Sequence, residues 1–231
     1  MKEKIEIPEN YKGVKLLILG EKNSGKSSLA KAIDDSLTVS YDAKPYPFEK
    51  PHITLKDGFT TQSIMETVAD AIDRYEAKFK ELPRTIIFDA VSRIFMELED
   101  VCQRKYNGFD VWSNLLKETN KLVKFFNNDL IDNGFNVVLV GHTTIDAETK
   151  MFREVLSGKF KDTGFISTVD ECIYTEFKAK KYQVTHRKHP LARTFLEELP
   201  DTQPTDNFNI NDYFNKLIAK QISIANNNWE I

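Results

Sequence analysis

The chain has 231 residues, of which 41% are hydrophobic and 29% charged, and its formal net charge is −3. This length suits one well-buried domain, with or without a small appendage, and the charge excludes nucleic-acid binding by bulk charge, so any such site is a local patch. Two lone cysteines, no apolar stretch in the first ten residues and no run of membrane-spanning length predict a cytoplasmic protein without a membrane partner.

Through residue 142, short apolar runs alternate with helical stretches. Buried strands are expected at 14–20, 37–41, 84–90 and 135–142, with a short edge strand at 52–55. Helices are expected at 26–36, 60–82, 91–106 and 109–131. This alternation predicts an α/β fold with a mostly parallel sheet covered by helices on both faces.

After residue 165 the pattern changes. Two adjacent strands with a turn near residues 178–180 predict a hairpin, and residues 211–225 form a helical candidate. We therefore expect one domain over residues 1–200, followed by a C-terminal extension with a short helix over residues 201–231.

The stretch GEKNSGKS at residues 20–27 matches the pattern G-x-x-x-x-G-K-[ST] between an expected strand and an expected helix. In such a loop, backbone N–H groups and the helix N-terminus hold phosphate oxygens. Lys26 is expected to reach the β- and γ-phosphates, and Ser27 to bind Mg²⁺. An accidental match is the alternative, which the flanking strand and helix disfavour. The nucleotide-binding residues expected here are Gly20, Glu21, Lys22, Asn23, Ser24, Gly25, Lys26, Ser27 and Ser28.

Two further polar residues follow apolar strands. Asp89 ends TIIFD and is expected to be the second Mg²⁺ partner, although it could instead cap the next helix. His142 ends NVVLVGH, and the carboxyl ends of parallel strands line the ligand crevice. We expect His142 to sense the γ-phosphate or polarise a water molecule, with a purely structural histidine as the alternative.

The loop at residues 20–27 is a phosphate-binding loop, or P-loop, and other motifs narrow the class of P-loop protein to which the chain can belong. No glycine has Asp three residues before it, and NKLV and NKLI lack the Asp of a guanine-reading motif, so a GTPase is disfavoured. The segment LSGKF is superficially like a transporter signature, but it follows Asp89 instead of preceding it. A small-molecule kinase stays open, although the chain shows no convincing Arg-rich lid.

The segments LILGEKNSGKSSLA, TIIFDAVSRI and NVVLVGHTT, followed by VDECIYTEF and YQVTHRKHP, resemble the RecA-like ATPases in content and order. VGHTT and VDECIYTE are similar to the bacterial RadA branch. The short length and VLSGKFKDTGF are most similar to phage-encoded, AAA-type RecA-like proteins implicated in single-strand annealing and recombination. The resemblance covers residues 13–200. It implies a RecA-like core with a C-terminal strand pair, ATP and Mg²⁺ as cofactors, single-stranded DNA as partner and assembly into a ring or filament.

The resemblance also implies roles for basic residues. Arg187 and Lys188 lie where the family places residues that reach the γ-phosphate of the next subunit, with His186 as a neighbouring candidate; a solvated basic turn is the alternative. The DNA-contacting loop of the family corresponds to TKMFREVLSGKFKDTGF, where cations can track phosphates and aromatic rings can stack on bases. The alternative is a lid whose phenylalanines pack on the core. The DNA-binding residues expected here are Lys150, Arg153, Lys159, Phe160 and Lys161.

The chain also departs from the family. The carboxylate that orients the attacking water should follow the second strand, where Asp42 is the first candidate and Glu49 the second; a shorter Asp suggests slow hydrolysis. Ala90 stands where many RecA-like proteins have Ser. The favoured function is an ATP-hydrolysing protein that anneals single-stranded DNA, with a single-strand-binding protein as a further candidate partner. The alternatives are a P-loop ATPase that switches a protein partner without DNA contact, and a small-molecule kinase.

Overall fold

One sheet runs through the part of the chain that the structure, a computed structural model, describes, which is residues 11–41 and 48–226. It has nine strands in the order β3-β2-β4-β5-β1-β7-β8-β9, with β6 paired to β5. The strands are β1 (Lys15–Gly20), β2 (Ser36–Ser40), β3 (His52–Thr54), β4 (Thr85–Asp89), β5 (Asn136–Ile145), β6 (Phe152–Glu154), β7 (Glu171–Lys178), β8 (Lys181–Thr185) and β9 (Thr202–Pro204).

Among the described residues, four α-helices lie in connections between parallel strands and a fifth follows β9. They are α1 (Lys26–Ala30), α2 (Thr61–Phe79), α3 (Val91–Lys105), α4 (Phe109–Lys124) and α5 (Ile210–Asn226). Helix α4 continues as a π-helical segment over Phe125–Ile131. Helix α2 begins with a capping box, in which Thr60 Oγ1 accepts from Ser63 N and Ser63 Oγ accepts from Thr60 N.

Both faces of the sheet are buried, as the alternating side chains of β1 show. Leu17 and Leu19 join a core with α2, α3 and α4. Leu16 and Ile18 point the other way and join a second core with α1 and α5. Since successive strand residues face opposite sides, an uninterrupted apolar strand requires cover on both. The predicted α/β class, with a mostly parallel sheet and helices on both faces, is confirmed.

The parallel register brings three strand ends to one edge of the sheet. Strand β1 pairs in parallel with β5 and β7, and β4 pairs in parallel with β2 and β5. Gly20 lies opposite His142, and Asp89 lies opposite Ser40 and Val140. The polar residues that follow the apolar strands therefore meet at the same edge.

Some element boundaries differ from the sequence prediction. Helix α1 ends at Ala30, six residues earlier than predicted, because the chain turns there into the short connection to β2. Strand β5 continues to Ile145 and forms an unpredicted antiparallel pair with β6. The predicted hairpin appears as β7 and β8, with positive φ at Ala179 and Lys180 in the turn.

The C-terminal segment packs on the rest of the chain. Strand β9 extends the central sheet beside β8. The predicted helix is present as α5, and it buries Ile210, Tyr213, Phe214, Leu217 and Ile218 against the second core. The domain boundary at residue 200 stays a prediction. None of the helices in the described ranges combines the length and apolar character that a membrane span requires.

Candidate active site

The loop after β1 folds around the amino group of Lys26. This side chain is only 4% exposed. Its Nζ donates to the backbone oxygens of Gly20 at 3.0 Å and Glu21 at 2.5 Å, and to Ser24 Oγ at 3.3 Å. Burial lowers the pKa of Lys26 to about 8, although the negative charges of Asp89 and Glu21 raise it. A buried cation held by loop carbonyls is thus ready to exchange these contacts for phosphate oxygens.

Strand β7 holds the other side of the loop through Thr175, a residue that the sequence did not single out. Ser24 Oγ lies 2.8 Å from Thr175 Oγ1, which itself donates to Leu19 O at 3.2 Å. Since the Thr175 proton is used on Leu19, Ser24 must be the donor to Thr175. A Cβ at Gly20 would lie 2.2 Å from Thr175 O. The close approach of β7 therefore requires glycine at the first position of the motif.

Ser27 and Asp89 come together at the edge of the sheet. Ser27 Oγ donates to Asp89 Oδ1 at 3.2 Å. Both contacting groups are oxygens, the ligand type that Mg²⁺ prefers, and Mg²⁺ commonly uses one or two protein ligands together with substrate phosphates. The donor set therefore fits the predicted metal, and Ser27 and Asp89 are the residues that would hold it. Ala90, the residue after Asp89, is buried.

His142 lies at the same edge, opposite Gly20 in the register of β1 and β5. Its backbone N–H donates to Ser92 Oγ at 3.2 Å, which ties β5 to the first turn of α3. The imidazole is half-buried. The structure thus brings His142 next to the start of the P-loop, while its role as sensor stays a prediction.

A hydrogen-bond network around the buried Glu97 holds the end of β2 next to Asp89. Tyr41 N donates to Asp89 O at 3.1 Å. The Tyr41 hydroxyl lies 2.8 Å from Glu97 Oε2 and 2.9 Å from Asp57 Oδ1, and Gly58 N donates to Glu97 Oε1 at 2.7 Å. Burial raises the pKa of Glu97, but the hydrogen bonds from Tyr41, Gly58 and Arg104 outweigh it and lower that pKa overall.

Two carboxylates that follow β2 in the sequence are the candidates for orienting the attacking water. Asp42 lies outside the described residues, so its catalytic role stays a prediction. Glu49 is exposed. Tyr41, the residue before Asp42, is held beside Asp89 by the contacts just described.

The structure separates the three basic candidates for the subunit interface. His186 is fully buried against Phe208 and Tyr213, and burial with the nearby Arg187 charge lowers its pKa to about 4. A neutral, buried ring cannot reach another subunit, so the expectation for His186 is wrong. The Arg187 guanidinium donates to the carbonyls of Leu196 and Leu199 within its own chain. Lys188 is exposed and pairs with Asp201 at 2.6 Å.

The expected DNA-contacting residues divide into surface cations and a core aromatic. Lys150, Lys159 and Lys161 are exposed, and Arg153 pairs with Asp146 at 2.8 Å. Phe160 is only 6% exposed, with its ring packed against Phe95 and Phe165. A base cannot stack on a ring that is already covered, which corrects the expectation for Phe160. For this residue the alternative, a phenylalanine packed on the core, applies.

Comparison with protein families identifies the fold unit that carries this site. A family model described as an AAA domain matches residues 12–196, which include the P-loop, Asp89 and His142. The chain belongs to the AAA domain family. It is therefore a P-loop ATPase of AAA type, for which ATP binding is expected and hydrolysis is typical. No curated protein matches the chain. The matched AAA domain ends before β9 and α5.

Proposed function

We propose that this AAA domain binds and hydrolyses ATP with Mg²⁺, and that it couples the nucleotide to the binding and annealing of single-stranded DNA during recombination. The observation that carries the ATPase part is the approach of Ser27 Oγ to Asp89 Oδ1 at 3.2 Å, beside the buried Lys26. A P-loop with its metal carboxylate already in place supports Mg-ATP as ligand.

Each residue at the edge has a distinct task in this proposal. The P-loop amides and Lys26 hold the phosphates, and Ser27 and Asp89 hold the metal, which neutralises charge on the phosphates when bound. Lys26 stabilises charge on the transferred phosphoryl group, because its amino group is already withdrawn from water. His142 contacts the γ-phosphate, and Asp42 orients the attacking water. Hydrolysis is slow if the shorter Asp side chain holds that water less well.

The DNA part rests on exposed cations near the same edge. The β5–β6 hairpin extends beyond the parallel sheet and carries Lys150, and Lys159 and Lys161 lie on the 3₁₀ segment after it. Glu154 holds this region by accepting from the backbone N–H groups of Phe165 and Ile166. With Phe160 buried, we expect contacts to phosphates to dominate, which makes binding insensitive to base sequence and strongly dependent on salt.

A binding titration with a fluorescent single-stranded oligonucleotide tests this part, at low and moderate salt and with and without ATP. The double variant Lys159→Glu, Lys161→Glu should weaken binding at least roughly tenfold, because several phosphate contacts become repulsive. The charge-matched control is Lys78→Glu, Lys220→Glu, on α2 and α5. Equal affinities of the two double variants would remove the 3₁₀ segment from the DNA site. No binding by the unmodified protein at low salt would overturn the DNA proposal.

A switch acting on a protein partner is the second candidate, and one observation favours it. Phe109 and Trp112 at the start of α4 are 71% and 39% exposed. Exposed aromatic side chains of this kind are enriched at protein interfaces. ATP turnover without any DNA binding would favour this candidate. Transfer of phosphate from labelled ATP to nucleosides or nucleotides would instead favour the small-molecule kinase.

Assembly into a ring or filament is proposed from the family resemblance. Sizing of the protein with single-stranded DNA, ATP and Mg²⁺ tests it. A shared site is tested by mixing Lys26→Ala subunits with Lys188→Ala subunits, since regained turnover requires a site built from the intact P-loop of one chain and the intact Lys188 of the other. Lys188 suits this experiment better than Arg187, whose guanidinium supports the segment around Leu196 and Leu199. No regained turnover would leave Lys188 without a role between subunits.

A further inference from the structure

A cleft of about 610 Å³ opens directly beside the P-loop. One wall is formed by Gly25, Ser28 and Leu29, and the opposite wall by residues 205–211, which lead into α5. Tyr182 from β8 lies along the cleft. Small-molecule and cofactor sites typically have volumes of roughly 300–1,000 Å³. The cleft therefore has the size and the position to take the part of a nucleotide that extends from the phosphates.

Tyr182 offers an aromatic surface next to the phosphate loop. The side chain is 47% exposed, and its ring atoms lie 3.4–3.9 Å from where a Cβ at Gly25 would be. The ring also packs against Phe177, at 4.8 Å between centroids. An aromatic ring anchored in this way but partly open can stack on a planar base without a large loss of side-chain entropy.

The opposite wall is fixed in place by two asparagines. Asn211 Nδ2 donates to Ala32 O at 2.9 Å, and Asn211 Oδ1 accepts from Asp34 N at 2.9 Å. Asn209 Oδ1 accepts from the N–H groups of Asn211 and Asp212 at 3.0 and 3.3 Å. The contacts of Asn211 join this wall to the residues that follow α1, and those of Asn209 hold the first turn of α5.

Two polar side chains of the same wall remain available to a ligand. Asp206 and Asn207 are exposed lining residues of the cleft, and no hydrogen bond or ion pair joins their side chains to another residue in the ranges 11–41 and 48–226. A carboxylate accepts from an exocyclic amino group, and an amide can donate and accept at the same time. These are the groups that recognise the polar edge of a purine.

We propose that this cleft holds the purine base and ribose of the nucleotide whose phosphates occupy the P-loop, with the Tyr182 ring stacked on the base and Asp206 and Asn207 at its polar edge. The inference rests on the proposed nucleotide binding. Its distinctive feature is that base recognition comes from residues 205–211, beyond the matched AAA domain. The segment between β9 and α5 is then part of the nucleotide site.

Binding of ATP and of inorganic tripolyphosphate, measured in parallel by calorimetry with Mg²⁺, separates the base from the phosphates. Tyr182→Ala should weaken ATP binding roughly 10- to 100-fold, as loss of a base-stacking ring does, and leave tripolyphosphate binding unchanged. Tyr182→Phe should retain ATP binding. The matched control is Phe109→Ala, which removes an exposed ring outside the cleft and should change neither ligand.

A second variant separates loss of base stacking from a folding defect that Tyr182→Ala could cause. Ala32 is exposed and lines the cleft, so Ala32→Trp should obstruct it and weaken ATP binding while sparing tripolyphosphate. Asp206→Ala with Asn207→Ala should reduce the preference for ATP over a triphosphate with a pyrimidine base. Unchanged ATP affinity in both Tyr182→Ala and Ala32→Trp would overturn the inference alone. Failure of the unmodified protein to bind either ligand would overturn the proposed function as well.

Discussion

The hydroxyl of Ser27 lies 3.2 Å from a carboxylate oxygen of Asp89, although the strands that lead to the two residues, β1 and β4, are separated in the sheet by β5. Ser27 is on the first turn of α1, which follows β1, and Asp89 is the last residue of β4. The chain therefore brings two side-chain oxygens together across an intervening strand, next to the buried cation of Lys26.

Replacing Ser27 tests this pair as a metal site. Ser27→Ala should lower the affinity for Mg-ATP at least roughly tenfold, because one oxygen ligand is lost. Ser27→Thr is the matched control and should retain the affinity, since its hydroxyl can bind the same ion. Titrations with Mg²⁺ and with EDTA measure the effect. If the Ala and Thr variants lose the same affinity, or if the loss persists in EDTA, Ser27 is not a metal ligand.

The pKa of Lys26 predicts a decline of nucleotide affinity at alkaline pH. In the free protein burial lowers this pKa to about 8, and bound phosphates would raise it because they favour the charged amine. Affinity should therefore be complete below pH 8 and fall as the pH rises above it, by up to about tenfold per unit. Calorimetric titration from pH 7 to 9.5 measures this dependence.

The control for this pH dependence is Lys26→Arg, because a guanidinium stays charged throughout the range. Whatever its absolute affinity, that variant should not lose binding above pH 8. A decline of the same size in both proteins would mean that another group titrates, and the buried amine would not explain it.

The parts of the site that could be predicted from the sequence are those that local pattern determines. An apolar strand that ends in a polar residue fixes the position of Asp89 and His142 at one edge, because parallel strands all present their carboxyl ends there. Thr175 could not be found in this way. Its contact with the P-loop depends on the placement of β7 beside β1, which is a pairing over more than 150 positions.

Two of the expected surface residues, Phe160 and His186, are buried, because the sequence pattern does not determine exposure. Phe160 and His186 sit in stretches of alternating basic and aromatic residues, a pattern that fits a DNA-binding loop as well as a core segment with charged flanks. Tertiary packing decides between the two, and it buries both rings, Phe160 against Phe95 and His186 against Phe208 and Tyr213. The neighbouring Lys159, Lys161 and Lys188 are exposed, so only the positive charge of these stretches is available at the surface.

The contact between Tyr41 and Glu97 predicts a stability effect close to the site. Tyr41→Phe should lower the free energy of unfolding by about 1.5–3 kcal/mol, as loss of a hydrogen bond to a charged group does. Because hydrogen bonds lower the pKa of Glu97, its contribution is present above the ordinary carboxyl pKa and is lost as the pH falls below it. Urea denaturation at pH 7 measures the effect. Tyr75→Phe is the matched control, since Tyr75 packs in the same apolar core against which the half-buried Tyr41 lies; similar losses in both variants would argue against a specific Tyr41 contact.

The buried carboxyl of Glu154 predicts a second dependence on pH, of opposite sign. Burial raises its pKa from 4.5 to about 7, although it accepts from Ile166 N and Phe165 N. The unfolded chain therefore releases this proton near pH 4.5 and the folded chain only near pH 7, so stability should fall by about 3 kcal/mol between these values.

Other groups titrate in the same window, so the measurement must isolate Glu154. His186, with a pKa lowered to about 4, acts in the opposite direction, because the unfolded chain takes up its proton first as the pH falls. Both proteins share this contribution when the unmodified chain is compared with Glu154→Gln, which cannot ionise. The difference between their free energies of unfolding should change steadily from pH 4.5 to 7 and then level off, with the variant gaining relative to the unmodified chain as the pH rises. A constant difference across that range would mean that Glu154 is already ionised in the folded protein, held by the two backbone N–H groups beside the 3₁₀ segment that carries Lys159 and Lys161.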